Sequence, residues 1–135
     1  MGYDLLLKTT ASEKSYMGFN SDGHGITINA NGEGISPMEN LLLSVAACSC
    51  VDIESLLAKM RNELIHLQVE IHAERVEGKV PRPFKSIHLH YVLYGEVKQS
   101  SAEKAISMAV EKYCSVSACL DPNIVITHDF EIKEE

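Results

Sequence analysis

The stretch from Ser36 to Val51 constrains this chain more than any other. In Ser36-Pro37-Met38-Glu39 the serine hydroxyl can accept the backbone N–H of Glu39, and the Glu39 carboxylate can reach back to the Ser36 N–H. Pro37 falls at the first helical position, where a missing N–H costs nothing. A helix therefore starts here, and the pattern carries it to about Arg61, roughly 25 residues or about 37 Å. Between Leu41 and Val51 only Ser44 and Ser49 are clearly polar. A helix that is apolar nearly all round is expected to be buried, with a sheet on one side and a second copy of the chain on the other. Cys48 and Cys50 lie within it, about 200° apart around the axis, so at most one of the two serves any single site.

The remaining segments alternate as strands or show a helical period. From Asp4 to Ala30 the runs Leu5-Leu6-Leu7, Ser15–Phe19 and Ile26-Thr27-Ile28, with Ser21-Asp22-Gly23-His24-Gly25 as a turn, predict an antiparallel meander. Residues 64–76 and 86–94 predict two further strands. Matching their apolar faces sets Ile71 opposite Leu89, His72 opposite His88 and Glu70 opposite His90. Ser100-Ser101-Ala102-Glu103 reads as a second capping box, opening a helix whose apolar face is Ile106, Ala109, Val110 and Tyr113, with Cys114 at its far end. After Asp121-Pro122-Asn123, alternation from Ile124 to Ile132 predicts a last strand.

Composition removes several classes of function. With 12 Lys and Arg against 19 Asp and Glu, the net charge is −7, and no basic cluster could neutralise a row of phosphates. Nucleic acid is not an expected partner. The longest apolar-rich run falls short of the roughly 20 residues of a membrane span, and Met1-Gly-Tyr-Asp lacks the basic start of a signal peptide. A soluble, cytoplasmic protein of one domain, residues 1–135, is expected. Four cysteines in such a chain read as reduced thiols, not as a disulfide framework.

Two groups of residues have chemical potential. Cys48 on the apolar helix and Cys114 at the end of the later one are each open to two readings, a nucleophile or a small buried hydrophobe. The six histidines include His72, His88 and His90, which the register gathers with Glu70 on one sheet face with ligand types that suit zinc. Alternation already demands polar residues there and no cysteine joins them at ligand spacing, so the expectation is a solvated face with no metal and no cofactor.

The long helix, from Ser36-Pro37-Met38-Glu39-Asn40-Leu41-Leu42-Leu43 through Ala46-Ala47-Cys48-Ser49-Cys50-Val51-Asp52-Ile53 to Leu57-Ala58-Lys59-Met60-Arg61, resembles the central helix of the OsmC/Ohr family. Pro83-Phe84-Lys85-Ser86-Ile87-His88-Leu89-His90-Tyr91-Val92 resembles that family's second core strand, and Glu111-Lys112-Tyr113-Cys114-Ser115-Val116 its second cysteine segment. The likeness covers about residues 20–132 and is nearest to the YhfA-like branch.

The resemblance implies an α+β fold of antiparallel sheets around a long central helix, in an intertwined homodimer. It also implies thiol-dependent reduction of organic hydroperoxides, with Cys48 as the peroxidatic thiol, Cys114 as the resolving one, and a dithiol reductant reopening their disulfide. Glu39 occupies the position of a glutamate that, in the Ohr branch, holds an arginine from the N-terminal loop. In this chain no arginine precedes Arg61, and the N-terminal cations are Lys8 and Lys14. Cys50 and Cys119 match no cysteine of the family and read as structural. The alternative expectation is a non-catalytic dimer of the same fold that binds a small hydrophobic molecule or senses redox state.

Overall fold

The computed structural model describes residues 2–134, which form two compact units divided between Leu43 and Ser44. In the first unit, β1 (Leu6–Thr9), β2 (Ser15–Phe19) and β3 (Gly25–Asn29) make an antiparallel meander in the order β1-β2-β3. The β2–β3 turn is closed by Asn20, whose side-chain oxygen accepts the backbone N–H groups of Asp22 and His24, both at 3.0 Å. Little of this unit's apolar surface is covered. Leu5, Leu6, Leu7 and Ile26 are each more than half exposed, and its buried residues are the polar Ser15 and Asn29.

The long helix α1 spans Pro37–Lys59. Its capping box forms as the sequence predicts: Glu39 N–H donates to Ser36 Oγ (3.2 Å) and Ser36 N–H to Glu39 Oε1 (2.9 Å). The helix stops in a Schellman turn. Asn62 N–H reaches the Leu57 carbonyl and Arg61 N–H that of Ala58, with Arg61 in the left-handed region at φ 60°. By length and composition α1 is long and apolar enough to cross a membrane, contrary to the expectation from its longest apolar run. Its own packing makes it a core helix of the second unit, where Val45, Ala46, Ser49, Ile53 and Leu57 are buried. Within the single chain its burial is one-sided. Leu43 and Val51 stay exposed, with Ala47 between them on the same stripe.

The second unit is built on β4 (Glu63–Arg75), β5 (Phe84–Glu96) and β6 (Val125–Lys133) in that order. β4 and β5 pair antiparallel with Ile71 opposite Leu89, His72 opposite His88 and Glu70 opposite His90, the register read from the sequence. Where β5 ends, Gly95 has φ 132°, and a Cβ there would run into the Glu63 carbonyl across the ladder, so only glycine fits. The sheet is mixed, not wholly antiparallel, because β6 runs parallel to β5 from Ser86–Val125 to Tyr94–Lys133. A parallel neighbour requires a crossover, supplied here by α2 (Gln99–Met108), a π-helical turn (Ala109–Tyr113) and α3 (Ser115–Ala118). Ile87, Leu89, Tyr91 and Leu93 on the inner face of β5 are at most 1% exposed and form the core with the buried sides of α1 and α2.

α2 differs from expectation at both ends. It starts at Gln99 with Lys98 as its N-cap and no side-chain cap, so the Ser100–Glu103 box does not form. Lys98 is held instead by its own N–H, which donates to Asn62 Oδ1 at 2.8 Å. At the other end the π turn adds a residue to the helical repeat, rotating the segment beyond it by about 100° against an α-helix. Ala102, Ala105, Ile106 and Ala109 are buried as an α-helical face should be, but Val110 is half-buried and Tyr113 is 49% exposed. Cys114 takes the inward position, 5% exposed.

Candidate active site

The π turn determines where the second thiol points. Cys114 leaves the helix with extended backbone (φ −71°, ψ 103°) and caps α3, its sulfur facing α1. There the thiol donates to the Val45 carbonyl across 3.8 Å and accepts from Ser117 twice, from the hydroxyl at 3.2 Å and the backbone N–H at 3.4 Å. Cys48 is three residues beyond Val45, the spacing that puts two side chains on one helix face. The fold thus brings Cys114 to the turn of α1 that ends at Cys48, which is half-buried. Both thiols are free.

Tyr91 anchors this turn from the sheet. Ser49 Oγ–H donates to the Ala46 carbonyl at 2.7 Å, which leaves the Ser49 oxygen to accept from the Tyr91 hydroxyl, also at 2.7 Å. Burial pushes the Tyr91 hydroxyl up to about 12, so it stays a donor at any physiological pH. Neither Ser49 nor Ser117 is evident from the sequence, although Ser117 stands at the i+3 position from Cys114. That spacing is a signal only once Cys114 is known to cap a helix.

Burial, and then the charge of Glu54 one turn on, push the Cys50 thiol up to about 11, which favours its protonated form near neutrality. Cys119 is exposed after α3. Glu39 lies nine residues, about 14 Å of helix, before Cys48 and serves the capping box. One cavity, about 830 Å³, is lined by residues such as Arg61, Glu63, Glu96 and Lys98 and by no cysteine. A second, about 520 Å³, lies within the first unit and is apolar, lined by Leu5, Leu6, Leu7, Phe19, Ile26 and Ile28 among others.

The histidines pair in a direction the sequence does not reveal. Register sets His88 and His90 opposite His72 and Glu70, but their side chains turn to the parallel strand β6. His88 meets Thr127 Oγ1 (2.6 Å) and Asp129 Oδ1 (3.1 Å), and His90 meets Asp129 Oδ1 (2.7 Å) and Glu131 Oε2 (2.8 Å). His72 bonds Glu74 on its own strand at 2.6 Å. The Glu131 and then the Asp129 hydrogen bonds raise the pKa of His90, and the His90 bond chiefly lowers that of Asp129. Among the described residues no group of three or more His, Cys, Asp or Glu side chains is arranged to hold a metal ion.

Comparison with known proteins agrees with this architecture. Residues 30–129 match the family model for OsmC-like proteins. The chain is 34% identical over 121 residues to protein YhfA of Escherichia coli strain K12, covering 87% of this chain and 90% of that one. A hypothetical protein from Aquifex aeolicus VF5 superposes with a TM-score of 0.88 at 32% identity, over 100% of this chain and 98% of the other. An organic hydroperoxide resistance protein OsmC from Legionella pneumophila shares the fold at a TM-score of 0.72 and 16% identity, over 97% of each chain. With two three-stranded sheets, a long apolar helix and a family match over most of its length, this chain belongs to the OsmC-like family.

Proposed function

We propose that this protein reduces organic hydroperoxides with its thiols, Cys48 attacking and Cys114 resolving. The observation that carries the reading is the seat of the Cys114 sulfur against the Val45 carbonyl, one helical turn from Cys48. That is where a resolving thiol is needed. The Cys48 thiolate attacks the peroxide, and the O–O bond breaks. The alkoxide leaves and takes a proton to become the alcohol. Cys48 is then a sulfenic acid, which the Cys114 thiolate attacks, expelling hydroxide that is protonated to water and closing a disulfide. A dithiol reductant supplies the two electrons that reopen it. Glu39 is the positioning residue, fixing the start of the helix that carries Cys48. The working form is a cytoplasmic homodimer in which a second copy covers the open stripe of Leu43, Ala47 and Val51 on α1. Membranes and nucleic acids are not partners, and no metal or cofactor takes part. Structural relatives described as organic hydroperoxide resistance proteins support this reading at the level of the fold.

Cumene hydroperoxide and a dithiol test it. Cys48→Ser should lower consumption to the rate of free cysteine, whereas Cys114→Ser should react once and over-oxidise with excess peroxide. Cys50→Ser and Cys119→Ser should turn over. Consumption by Cys48→Ser at the wild-type rate would sink the mechanism.

A second reading is favoured by the apolar cavity of about 520 Å³ in the first unit, within the size range of small-molecule sites. On that reading the protein binds a small hydrophobic molecule without turnover. Wild type reacting no faster than free cysteine, together with saturable binding of an apolar fluorescent probe, would select it.

A further inference from the structure

We infer that Ser117 gives the Cys48–Cys114 disulfide a direction, making Cys114 the sulfur that departs and Cys48 the sulfur that a reductant attacks. The inference rests on the pairing of these two thiols proposed above. The Cys114 sulfur has three polar contacts among the described residues. The thiol proton faces the Val45 carbonyl, and the Ser117 hydroxyl and backbone N–H both donate to the sulfur. Once that proton is gone, the two donors remain and oppose the charge on the sulfur. Burial acts against this charge, since Cys114 is 5% exposed and water gives it little help, so the Ser117 donors are its main polar support. Among the described residues no such pair of donors meets the Cys48 sulfur.

In the reductive step, the thiolate of an incoming thiol attacks one sulfur, the S–S bond breaks, and the other sulfur leaves with the electron pair. The better stabilised thiolate leaves faster. Here that is Cys114, so the mixed disulfide forms on Cys48, which is also the more exposed of the two. The second thiol of a dithiol reductant then attacks the mixed disulfide, releasing the Cys48 thiolate and carrying both electrons' worth of oxidation away as its own disulfide. In the forward direction the same donors meet the charge that develops on the Cys114 sulfur as it gives up its proton and attacks the Cys48 sulfenic acid.

The test uses full-length wild type, Ser117→Ala and Ser117→Thr, each verified as folded by near-UV circular dichroism. Native protein is oxidised with diamide, so that disulfide formation does not depend on peroxide activity. It is then mixed with N-acetylcysteine, acid-quenched and mapped by peptide mass. Wild type should carry the adduct on Cys48. Ser117→Ala should open about threefold more slowly, because losing one charge-assisted donor weakens the leaving thiolate about tenfold and roughly half of that logarithm reaches the rate. A measurable share of its adduct should move to Cys114. Ser117→Thr, which keeps the hydroxyl, should restore both rate and position. A wild-type adduct mainly on Cys114, an alanine variant that matches wild type in both readouts, or a failure of diamide to join Cys48 and Cys114 at all would each overturn the inference. If peroxide is not consumed yet the adducts fall as described, the peroxidase reading fails while the role of Ser117 stands.

Discussion

The two units of this chain treat their apolar residues in opposite ways. In residues 44–135 the inner face of β5 and the buried sides of α1 and α2 exclude water almost completely, with Ile53, Leu57, Ile87, Leu93 and Ile106 all at 0% exposure. In residues 1–43 the meander has three leucines in a row, Leu5 at 73%, Leu6 at 55% and Leu7 at 61% exposed, and no buried aliphatic side chain among its described residues. A three-stranded sheet of four or five residues per strand gains little stability from itself. The contrast teaches that the second unit fixes its side chains by close packing, whereas the first unit leaves most of its apolar side chains open to solvent.

The largest test of that contrast is Ile53→Ala, in the fully buried row of α1. It should cost about 2–5 kcal/mol in a urea titration, as truncations in closed cores do. Leu6→Ala in the meander, assayed as an isolated chain, should cost no more than about 0.5 kcal/mol. Equal losses would erase the distinction between the units.

Ser36→Ala, which removes one half of the capping box, should cost about 1 kcal/mol in the same titration. Tyr91→Phe should cost a similar amount, about 1 kcal/mol, since Ser49 keeps its bond to the Ala46 carbonyl and only the tyrosine donor is lost.

The smallest effect concerns the outer face of the second unit. His90 has a raised folded pKa, so its contribution is full below the ordinary histidine value and is lost as pH rises through the raised one. Asp129 has a lowered pKa, so its contribution is full above the ordinary carboxylate value and fades only in acid. His90→Gln should therefore lower the Tm more at pH 6 than at pH 9. Because the pair is solvent-screened, the difference should be about 2 °C or less. A loss independent of pH would assign His90 a packing role instead.

How much of the fold and site is legible in the sequence depends on whether the cause is local. The α1 cap is set by four consecutive residues, and the β4–β5 register by the parity of two alternating runs, so both can be read directly. The chemistry at Cys114 cannot. An α-helical period places Tyr113 inward, but a π turn has no composition of its own, and it turns Cys114 inward and Tyr113 out. The Lys98 cap is hidden for a similar reason: its partner, Asn62, is 36 residues away. Alternation puts the histidines on one face, but their carboxylate partners come from β6, whose parallel pairing with β5 leaves no mark on either strand alone.

That parallel pairing also orders events as the chain folds. β4 and β5 are joined by a short loop and can zip from it, and β1, β2 and β3 likewise meet their neighbours in sequence. β6 must find β5 across a separation of 39 residues, from His88 to Thr127, and only after α2, the π turn and α3 have formed the crossover between them. Contacts at that range form late, because the entropy of closing the intervening chain must be overcome first. Until the last nine strand residues dock, β5, the most buried strand of the molecule, has one bare edge, and His90 lacks both of its carboxylates. The C-terminal strand is the closing element of the second unit, and a nascent chain lacking it would expose an apolar strand edge to any other strand it met.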